Sequence, residues 1–256
     1  MKLLALDSSG LVASVAVLEN DGLLAEYSVN YKKTHSQTLL PMLDEVMRML
    51  GIPKRELDAV AVAKGPGSFT GLRIGAATAK GLGLALQIPL VPVETVDALA
   101  YNLYDAKGLI CPMLDARRAQ VYTGIYRFEN HRLTTIQPQR PEAAEQLVDE
   151  LNALGEPVTV LGDGADVCEE LLNEHLQVPW SKAPAHLQKQ RAASVGALAM
   201  ERLCGGTGAR RQGLVLHPEF LADPESFVPE YLRQTQAERE RAQKLAAAQK
   251  DGENPV

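Results

Sequence analysis

The stretch Gly65-Pro66-Gly67-Ser68-Phe69-Thr70-Gly71 lies between two segments of different character. The segment before it, Leu57 to Ala63, is a continuous apolar run, which is typical of a β-strand buried on both faces of a sheet. The segment after it, Leu72 to Leu86, is rich in alanine and glycine and predicts a helix. Because glycine permits positive φ and close backbone approach, the stretch predicts a tight strand-to-helix connection in an α/β fold.

The elements before this connection follow a simple order. The apolar run 2–7 predicts a strand that ends at Asp7, and Asp21-Gly22 is a hairpin signal between two more strands. Apolar residues from Leu39 to Leu50 then recur at helical spacing, with Pro41 expected near the helix start. The first half of the chain is therefore predicted as three strands, a helix, a strand, a glycine turn and a helix.

The same order recurs in the second half. Leu109 to Leu114 predicts a strand that ends at Asp115, and Gly162-Asp163-Gly164 predicts a second glycine turn before a helix from Ala165 to Leu176. This repetition indicates two duplicated β-β-β-α-β-α lobes. We expect the two-lobed α/β fold of actin, Hsp70 and the sugar kinases, with ribonuclease H-like lobes and a ligand cleft between them.

The predicted division gives each lobe a continuous part of the chain. The helix that follows a short strand in the linking segment is expected to have Thr95 as its N-cap, and a later helix from Val195 to Leu203 is expected to have Ser194. The C-terminal tail is charged and poor in large apolar residues, which predicts a flexible or solvated segment. The boundaries are residues 1–106 for the N-terminal lobe, 107–233 for the C-terminal lobe and 234–256 for the tail.

The net charge of −6 disfavours a protein that binds RNA by itself, because such proteins usually carry a clustered basic face. The adjacent basic residues form separate pairs, Lys32-Lys33, Arg117-Arg118 and Arg210-Arg211. Three distant cysteines suit a reducing compartment. The chain shows no signal peptide and no apolar stretch of membrane-spanning length, so we expect a cytoplasmic protein without a membrane partner.

Two groups of residues are candidates for contact with a phosphate or nucleotide. Backbone N–H groups at a helix start attract anions, and aspartates after the first strand of each lobe can contact phosphate or magnesium. For the glycine stretch, the alternative is a connection that only lets the helix pack closely. For Asp7, the alternative is that its side chain caps the turn. Both alternatives stay open. No pattern of metal ligands is visible. The candidates are Asp7, Ser8, Ser9, Gly65, Gly67, Ser68, Thr70, Gly71 and Asp115.

The two helices of the first lobe carry more apolar and small residues than one core contact requires. A wide apolar stripe on the first helix and small residues on the second predict an oligomer or partner surface beside the ordinary core. The alternative is that the whole set is core. The residues are Leu39, Met42, Leu43, Val46, Met47, Leu50, Leu72, Gly75, Ala76, Ala79 and Gly83.

Several segments together resemble the bacterial TsaB family, also called YeaZ. The resemblance covers nearly the whole chain up to Arg233, and the glycine segment combined with the Asp-Ala-Arg motif is specific. The segments are Leu4 to Ser9, Thr34 to Pro41, Gly65 to Gly75, Leu114 to Arg117 with Val121-Tyr122, and Pro229 to Arg233.

The resemblance implies a role in forming threonylcarbamoyladenosine beside the anticodon of tRNAs. It implies a non-catalytic scaffold that binds and activates the transferase TsaD through first-lobe helices, with the ATPase TsaE joining the assembly. We expect a heterodimer with TsaD, a homodimer when TsaD is absent, and tRNA contact only within the complex. No intrinsic cofactor is expected, and any ATP or ADP would bind in the complex.

Enzymatic functions are the alternatives. TsaD carries a His-x-x-x-His metal motif, and Thr95 and Leu99 stand at the matching positions here, where neither side chain can replace a histidine ligand. An independent ATP-binding small-molecule kinase or ATPase of the same fold is the second hypothesis, with Asp7 and Asp115 as its visible acidic candidates. A peptidase ranks last, because neither a metal pair nor a nucleophile triad is visible.

Overall fold

The computed structural model describes residues 1–20, 22–31, 34–204 and 217–232. The strands are β1 (Lys2–Asp7), β2 (Ala13–Glu19), β3 (Gly22–Val29), β4 (Ala59–Gly65), β5 (Leu90–Glu94), β6 (Leu109–Asp115), β7 (Gln120–Glu129), β8 (Arg132–Ala143), β9 (Val158–Leu161) and β10 (Trp180–Lys182). The helices are α1 (His35–Leu50), α2 (Phe69–Leu86), α3 (Thr95–Ala100), α4 (Ala144–Leu154), α5 (Asp163–Val167), α6 (Glu169–His175) and α7 (Ala192–Cys204).

The strands form two five-stranded sheets of identical topology. The order is β3-β2-β1-β4-β5 in the first sheet and β8-β7-β6-β9-β10 in the second. In each sheet the first three strands pair antiparallel and the last two join in parallel. This is the duplicated, ribonuclease H-like arrangement of the actin, Hsp70 and sugar-kinase fold, and it confirms the predicted fold class.

The first sheet is covered on both faces, which explains the near-complete burial of β1, β2 and β4. The apolar faces of α1 and α2 pack on one side, in a cluster with residues such as Leu4 and Val60. The helix α7 packs on the other side, where Val195 and Leu198 meet Leu3. The chain thus returns to the first lobe with α7, although the predicted division placed these residues in the second lobe.

Residues 217–232, here called the return segment, also pack on the first lobe. Ala222 and Leu90 exchange backbone hydrogen bonds of 2.8 and 2.9 Å, and the Phe227 side chain is buried in the cluster under α1 and α2. The Lys80 ammonium donates hydrogen bonds to the carbonyl oxygens of Glu225 and Phe227. The segment therefore runs beside α2 and ends near the glycine loop. The predicted tail 234–256 lies outside the described residues.

The helix α3 joins the lobes. Its residues Val96 and Leu99 share a buried cluster with Ile110 and Leu161 of the second sheet. The Tyr126 hydroxyl of β7 donates a 2.7 Å hydrogen bond to the Asp97 carboxylate. The turns at the carboxyl ends of β1, β4 and β6 line a cleft between the lobes.

Both predicted threonine and serine caps are wrong. Thr95 is the first residue of α3, and its buried hydroxyl has no hydrogen-bond partner among the described residues. α7 begins at Ala192, whose backbone N–H donates to the Ser14 hydroxyl at 2.8 Å, so a residue of β2 satisfies the helix end. Ser194 lies inside α7 and donates its hydroxyl proton to Asn102 instead.

Three other local predictions need correction. Pro41 is the seventh residue of α1, because the helix begins at His35, upstream of the apolar pattern. The helix predicted over residues 165–176 is two short helices, α5 and α6, separated at Cys168. The short edge strand β10 was not predicted, since three residues carry too little pattern.

Among the described residues, no helix combines the length and apolar character needed to cross a bilayer.

Candidate functional site: the cleft between the lobes

A cleft of about 1210 Å³ opens between the lobes. Its floor and walls come from the β1–β2 turn, the glycine loop, the β6–β7 turn and the end of the return segment. Six of the nine predicted phosphate contacts line it, namely Ser9, Gly67, Ser68, Thr70, Gly71 and Asp115. The other three, Asp7, Ser8 and Gly65, are buried behind this lining.

The glycine loop packs directly against the β1–β2 turn. The Ser68 N–H donates a 2.7 Å hydrogen bond to the Ser9 carbonyl oxygen, and the Ser8 hydroxyl donates to the Gly71 carbonyl oxygen at 2.9 Å. A Cβ on Gly67 would lie 2.3 Å from the Ser9 oxygen, and one on Gly71 would lie 2.1 Å from the Ser8 oxygen. These glycines are therefore required for close packing of loop on turn, which favours the tight-connection alternative for this part of the loop.

The start of α2 faces the cleft. Ser68 caps the helix by accepting a hydrogen bond from the Gly71 N–H, and Thr70 is exposed in the first turn. The Phe69 ring is 40% exposed and packs on Tyr231 of the return segment, with ring centroids 4.9 Å apart. The helix start thus presents the exposed Thr70 and an exposed aromatic pair to the cleft.

Asp7 is turned away from the cleft. Its side chain is only 2% exposed and accepts hydrogen bonds from the Ser9 N–H at 2.9 Å and the Ser9 hydroxyl at 2.6 Å. Burial raises the pKa of the Asp7 carboxyl above its ordinary value, and the two hydrogen bonds from Ser9 offset part of that effect. The arrangement is that of a turn cap, the second alternative for this residue.

Asp115 lies at the cleft wall, but its carboxylate already has partners. One oxygen accepts the Arg117 backbone N–H at 2.7 Å, and the other lies 3.0 Å from the Arg117 guanidinium. The residues that follow, Arg117, Arg118 and Ala119, have φ values of 65°, 59° and 55°. Three successive non-glycine residues in the left-handed region are uncommon and form a sharp turn that exposes both arginines.

The predicted partner-contact residues lie mostly in the core. Leu39, Met42, Leu43, Val46, Met47, Leu72, Gly75, Ala76, Ala79 and Gly83 are buried, and Leu50 is partly buried against the same core. Direct partner contact by the buried side chains is therefore wrong. Gly75 leaves room for the Ser8 hydroxyl, and Gly83 leaves room for Pro224 of the return segment.

The outer faces of the same helices carry other residues. On α2 these are Arg73, Ala77, Gly81 and Leu84, and nothing lies within 4 Å of a Cβ built on Gly81. On α1 they include Leu40, which is 54% exposed, and Met49, which is 71% exposed. Because α1 and α2 cover the same face of the first sheet, these residues share the outer layer of that lobe.

Sequence reasoning missed the aromatic and arginine residues at the cleft mouth. Tyr31, Arg118 and Tyr231 all line the cleft, yet they come from three distant parts of the chain. Arg117-Arg118 was noted as one of three separate basic pairs, and Arg117 also as part of the Asp-Ala-Arg motif, but neither arginine was predicted at the cleft. Lys32-Lys33 and Arg210-Arg211 lie outside the described residues. The only available signal was the position of Arg117-Arg118 after the first strand of its lobe.

The positions matched to the TsaD histidines are closed to a metal. Thr95 is fully buried and Leu99 is 1% exposed, within the joint between the lobes. Across the described ranges, no group of three or more His, Cys, Asp and Glu side chains is arranged to hold a metal ion.

Comparison with known proteins shows which protein family the chain belongs to. A family model described as TsaD, tRNA N6-adenosine threonylcarbamoyltransferase, matches residues 22–241. The tRNA threonylcarbamoyladenosine biosynthesis protein TsaB of Bacillus subtilis is 32% identical over 238 residues, which are 93% of this chain and 96% of that protein. The chain belongs to the TsaB family. The TsaB protein of Escherichia coli is 34% identical over 62% of this chain and 71% of its own length.

The solved structures agree with the TsaB family at the level of the whole fold. A crystal structure from Pseudomonas aeruginosa, described as an uncharacterized protein with similarity to peptidase YEAZ, superposes with a TM-score of 0.73 at 26% identity. The superposition covers 91% of this chain and 99% of that one. The resemblance inferred from the sequence is therefore confirmed over nearly all of the chain.

Proposed function

We propose that this chain is a non-catalytic subunit that binds and activates a TsaD-type transferase in the formation of threonylcarbamoyladenosine on tRNA. The relatives that carry the TsaB name are described as tRNA threonylcarbamoyladenosine biosynthesis proteins, and the matching family model is that of the transferase itself. Descent from a common transferase fold with loss of its metal ligands is consistent with an accessory role, since Thr95 and Leu99 replace the two histidines.

One observation carries this proposal, the outer face of α2. Over about three turns the helix presents Arg73, Ala77, Gly81 and Leu84 at spacings of three and four residues. Small residues in the middle of such a face let a second helix approach closely, and the apolar residue at its end supplies contact area. The neighbouring outer face of α1 adds Leu40 and Met49. This surface supports docking of another helical layer, and TsaD is the proposed partner, with TsaE joining the assembly.

The cleft gives less support to an independent kinase or ATPase. A kinase needs a carboxylate free to act on substrate or to hold magnesium. Asp7 is buried and accepts two hydrogen bonds from Ser9, and Asp115 is paired with Arg117. We therefore propose that any ATP or ADP is bound in the assembled complex rather than turned over by this chain alone.

The test uses the exposed alanines of two helices. Ala77 lies on the outer face of α2, and Ala153 is exposed on α4 of the second lobe, so Ala77→Glu and Ala153→Glu place the same charge on two surfaces. We expect Ala77→Glu to abolish co-purification with TsaD and to lower the yield of modified tRNA, while Ala153→Glu leaves both unchanged. Full TsaD binding and full stimulation by Ala77→Glu would overturn the proposed surface.

A turnover measurement tests the non-catalytic role. The purified chain alone should hydrolyse ATP no faster than the Asp7→Ala variant. Turnover by the isolated chain that disappears in Asp7→Ala would support the kinase or ATPase alternative instead.

A further inference from the structure

The mouth of the cleft gathers exposed aromatic rings from different parts of the chain. Tyr31 follows β3 and is 73% exposed, and Phe69 and Tyr231 are 40% and 39% exposed. All three line the cleft. Exposed large rings concentrated at one opening are unusual on a protein surface unless they contact a ligand or partner.

Arg118 lines the cleft, and Arg73 lies beside it against the Phe69 ring. The Arg73 guanidinium lies over the Phe69 ring, 5.3 Å from its centroid, and Arg118 projects from the left-handed β6–β7 turn. Among the described residues, neither forms an ion pair with a carboxylate. Aromatic faces and guanidinium planes are the two kinds of surface on which unstacked nucleobases stack, and the guanidinium also pairs with phosphate.

The acidic groups nearby are already engaged. The Asp115 carboxylate pairs with Arg117, and Glu230 lies 3.3 Å from the Lys64 ammonium. The carboxylate of Asp163 accepts the backbone N–H of Asp115 at 3.1 Å. Three carboxylates and two guanidinium groups therefore line the cleft, and Arg118 is the lining cation for which no carboxylate partner is found among the described residues. The exposed rings, together with the guanidinium groups of Arg73 and Arg118, are complementary to a planar ligand that carries a phosphate group.

We propose that this aromatic–arginine rim, formed by Tyr31, Phe69, Arg73, Arg118 and Tyr231, contacts single-stranded RNA with unstacked bases. The inference rests on the proposed function, in which the substrate of the complex is a tRNA. The partner holds the RNA, and the rim adds base stacking and one or two phosphate contacts. An apolar protein partner fits the part of the α2 outer face from Ala77 to Leu84 better, since the residues there are small or apolar.

The first experiment uses the isolated full chain and a fluorescent anticodon stem–loop RNA at low salt. Each phosphate contact contributes about 0.7 to 0.9 to the slope of log affinity against log salt, so Arg118→Ala should lower the slope by roughly that amount. Tyr31→Ala should weaken binding roughly tenfold and leave the slope unchanged, because stacking is not a counterion effect. Arg55→Ala and Tyr27→Ala remove exposed residues away from the cleft and should change neither quantity.

Competitors identify the ligand class. If polyglutamate displaces the RNA as well as unlabelled RNA does, or if the rim variants weaken ATP binding but not RNA binding, the proposal is overturned. Equal effects of the rim and control variants would also overturn it.

The second experiment covers binding too weak to detect with the isolated chain. A photoreactive phenylalanine analogue replaces Tyr31, and in a parallel variant Arg118, in the complex with TsaD and tRNA. Crosslinks to the tRNA from both positions, and none from position 27, are expected. A complex that assembles and modifies tRNA but gives no crosslink from either rim position overturns the RNA contact, whereas failure to assemble or to stimulate counts against the proposed function alone.

Discussion

In both lobes, a glycine packs against a backbone carbonyl oxygen near the end of the first strand, but the helices that follow differ in length. In the first lobe, Gly71 lies against the Ser8 carbonyl oxygen at the end of β1, where an added Cβ would approach to 2.1 Å. In the second lobe, Gly162 lies against the Met113 carbonyl oxygen of β6 at the same calculated distance. Each glycine turn thus brings a helix start against its own sheet.

The helices that follow these turns differ in length between the lobes. The helix after the first turn, α2, runs for 18 residues and keeps an exposed outer face. The helix after the second, α5, ends after five residues, and α6 begins beyond Cys168. The turn fixes where the helix starts in each lobe, whereas the first lobe has the longer uninterrupted helix after it.

The largest expected effect tests whether the lobes unfold together. Leu39→Ala in α1 and Leu147→Ala in α4 each empty a fully buried site and should lower the free energy of unfolding by about 3 kcal/mol. The single tryptophan, Trp180, reports on the second lobe, and circular dichroism reports on both. Because α3 joins the two cores, we expect both variants to shift both signals equally in urea titrations. A Leu39→Ala chain with an unshifted tryptophan transition would show independent lobes.

The next effect distinguishes close packing from backbone conformation. Gly71→Ala forces a side chain against the Ser8 oxygen and should cost about 2 kcal/mol. Gly155→Ala at the end of α4 has open space but a φ of 68°, so it should cost only about 1 kcal/mol. Thermal unfolding of the two variants measures the difference. Equal losses would mean that the first-lobe turn can relax.

The pH dependence of stability should report on Asp7. Its pKa is raised by burial, so the folded state holds the proton to higher pH than the unfolded state, whose carboxyl titrates near 3.8. The contribution of Asp7 to stability therefore falls as pH rises from about that value to the folded pKa. Asp7→Asn should remove this fall, seen in urea midpoints measured from pH 4 upwards. An unchanged profile would contradict the direction given for this carboxyl.

The smallest effect compares two glycines of α2. Gly81→Ala on the outer face should raise the free energy of unfolding by about 0.5 to 1 kcal/mol, because alanine favours helix and nothing opposes its methyl group. Gly83→Ala should destabilise, because its Cβ would lie 2.6 Å from Pro224. Thermal midpoints of both variants are the measurement. Destabilisation by Gly81→Ala in the isolated chain would reveal a contact on the outer face.

The sequence predicted the secondary-structure elements better than it predicted the tertiary contacts that each element makes. Apolar runs and helical spacing located the first lobe from β1 to α2, because period and composition are local properties. The same reasoning could not tell which side of α1 or α2 meets the sheet once both sides carried apolar or small residues. It therefore assigned Met42 and Gly83 to a partner, whereas the sheet and the return segment cover them.

By itself, the sequence determined the duplicated α/β plan, the presence of Thr95 and Leu99 where the resemblance places the TsaD histidines, and the likeness to the TsaB family. These depend on the order of residues along the chain. Only the tertiary structure decided that Asp7 is buried, that α7 covers the first sheet, and that Tyr31, Arg118 and Tyr231 meet at one opening. The physical reason is that burial and convergence depend on contacts between distant segments, and no local pattern encodes which segments will meet.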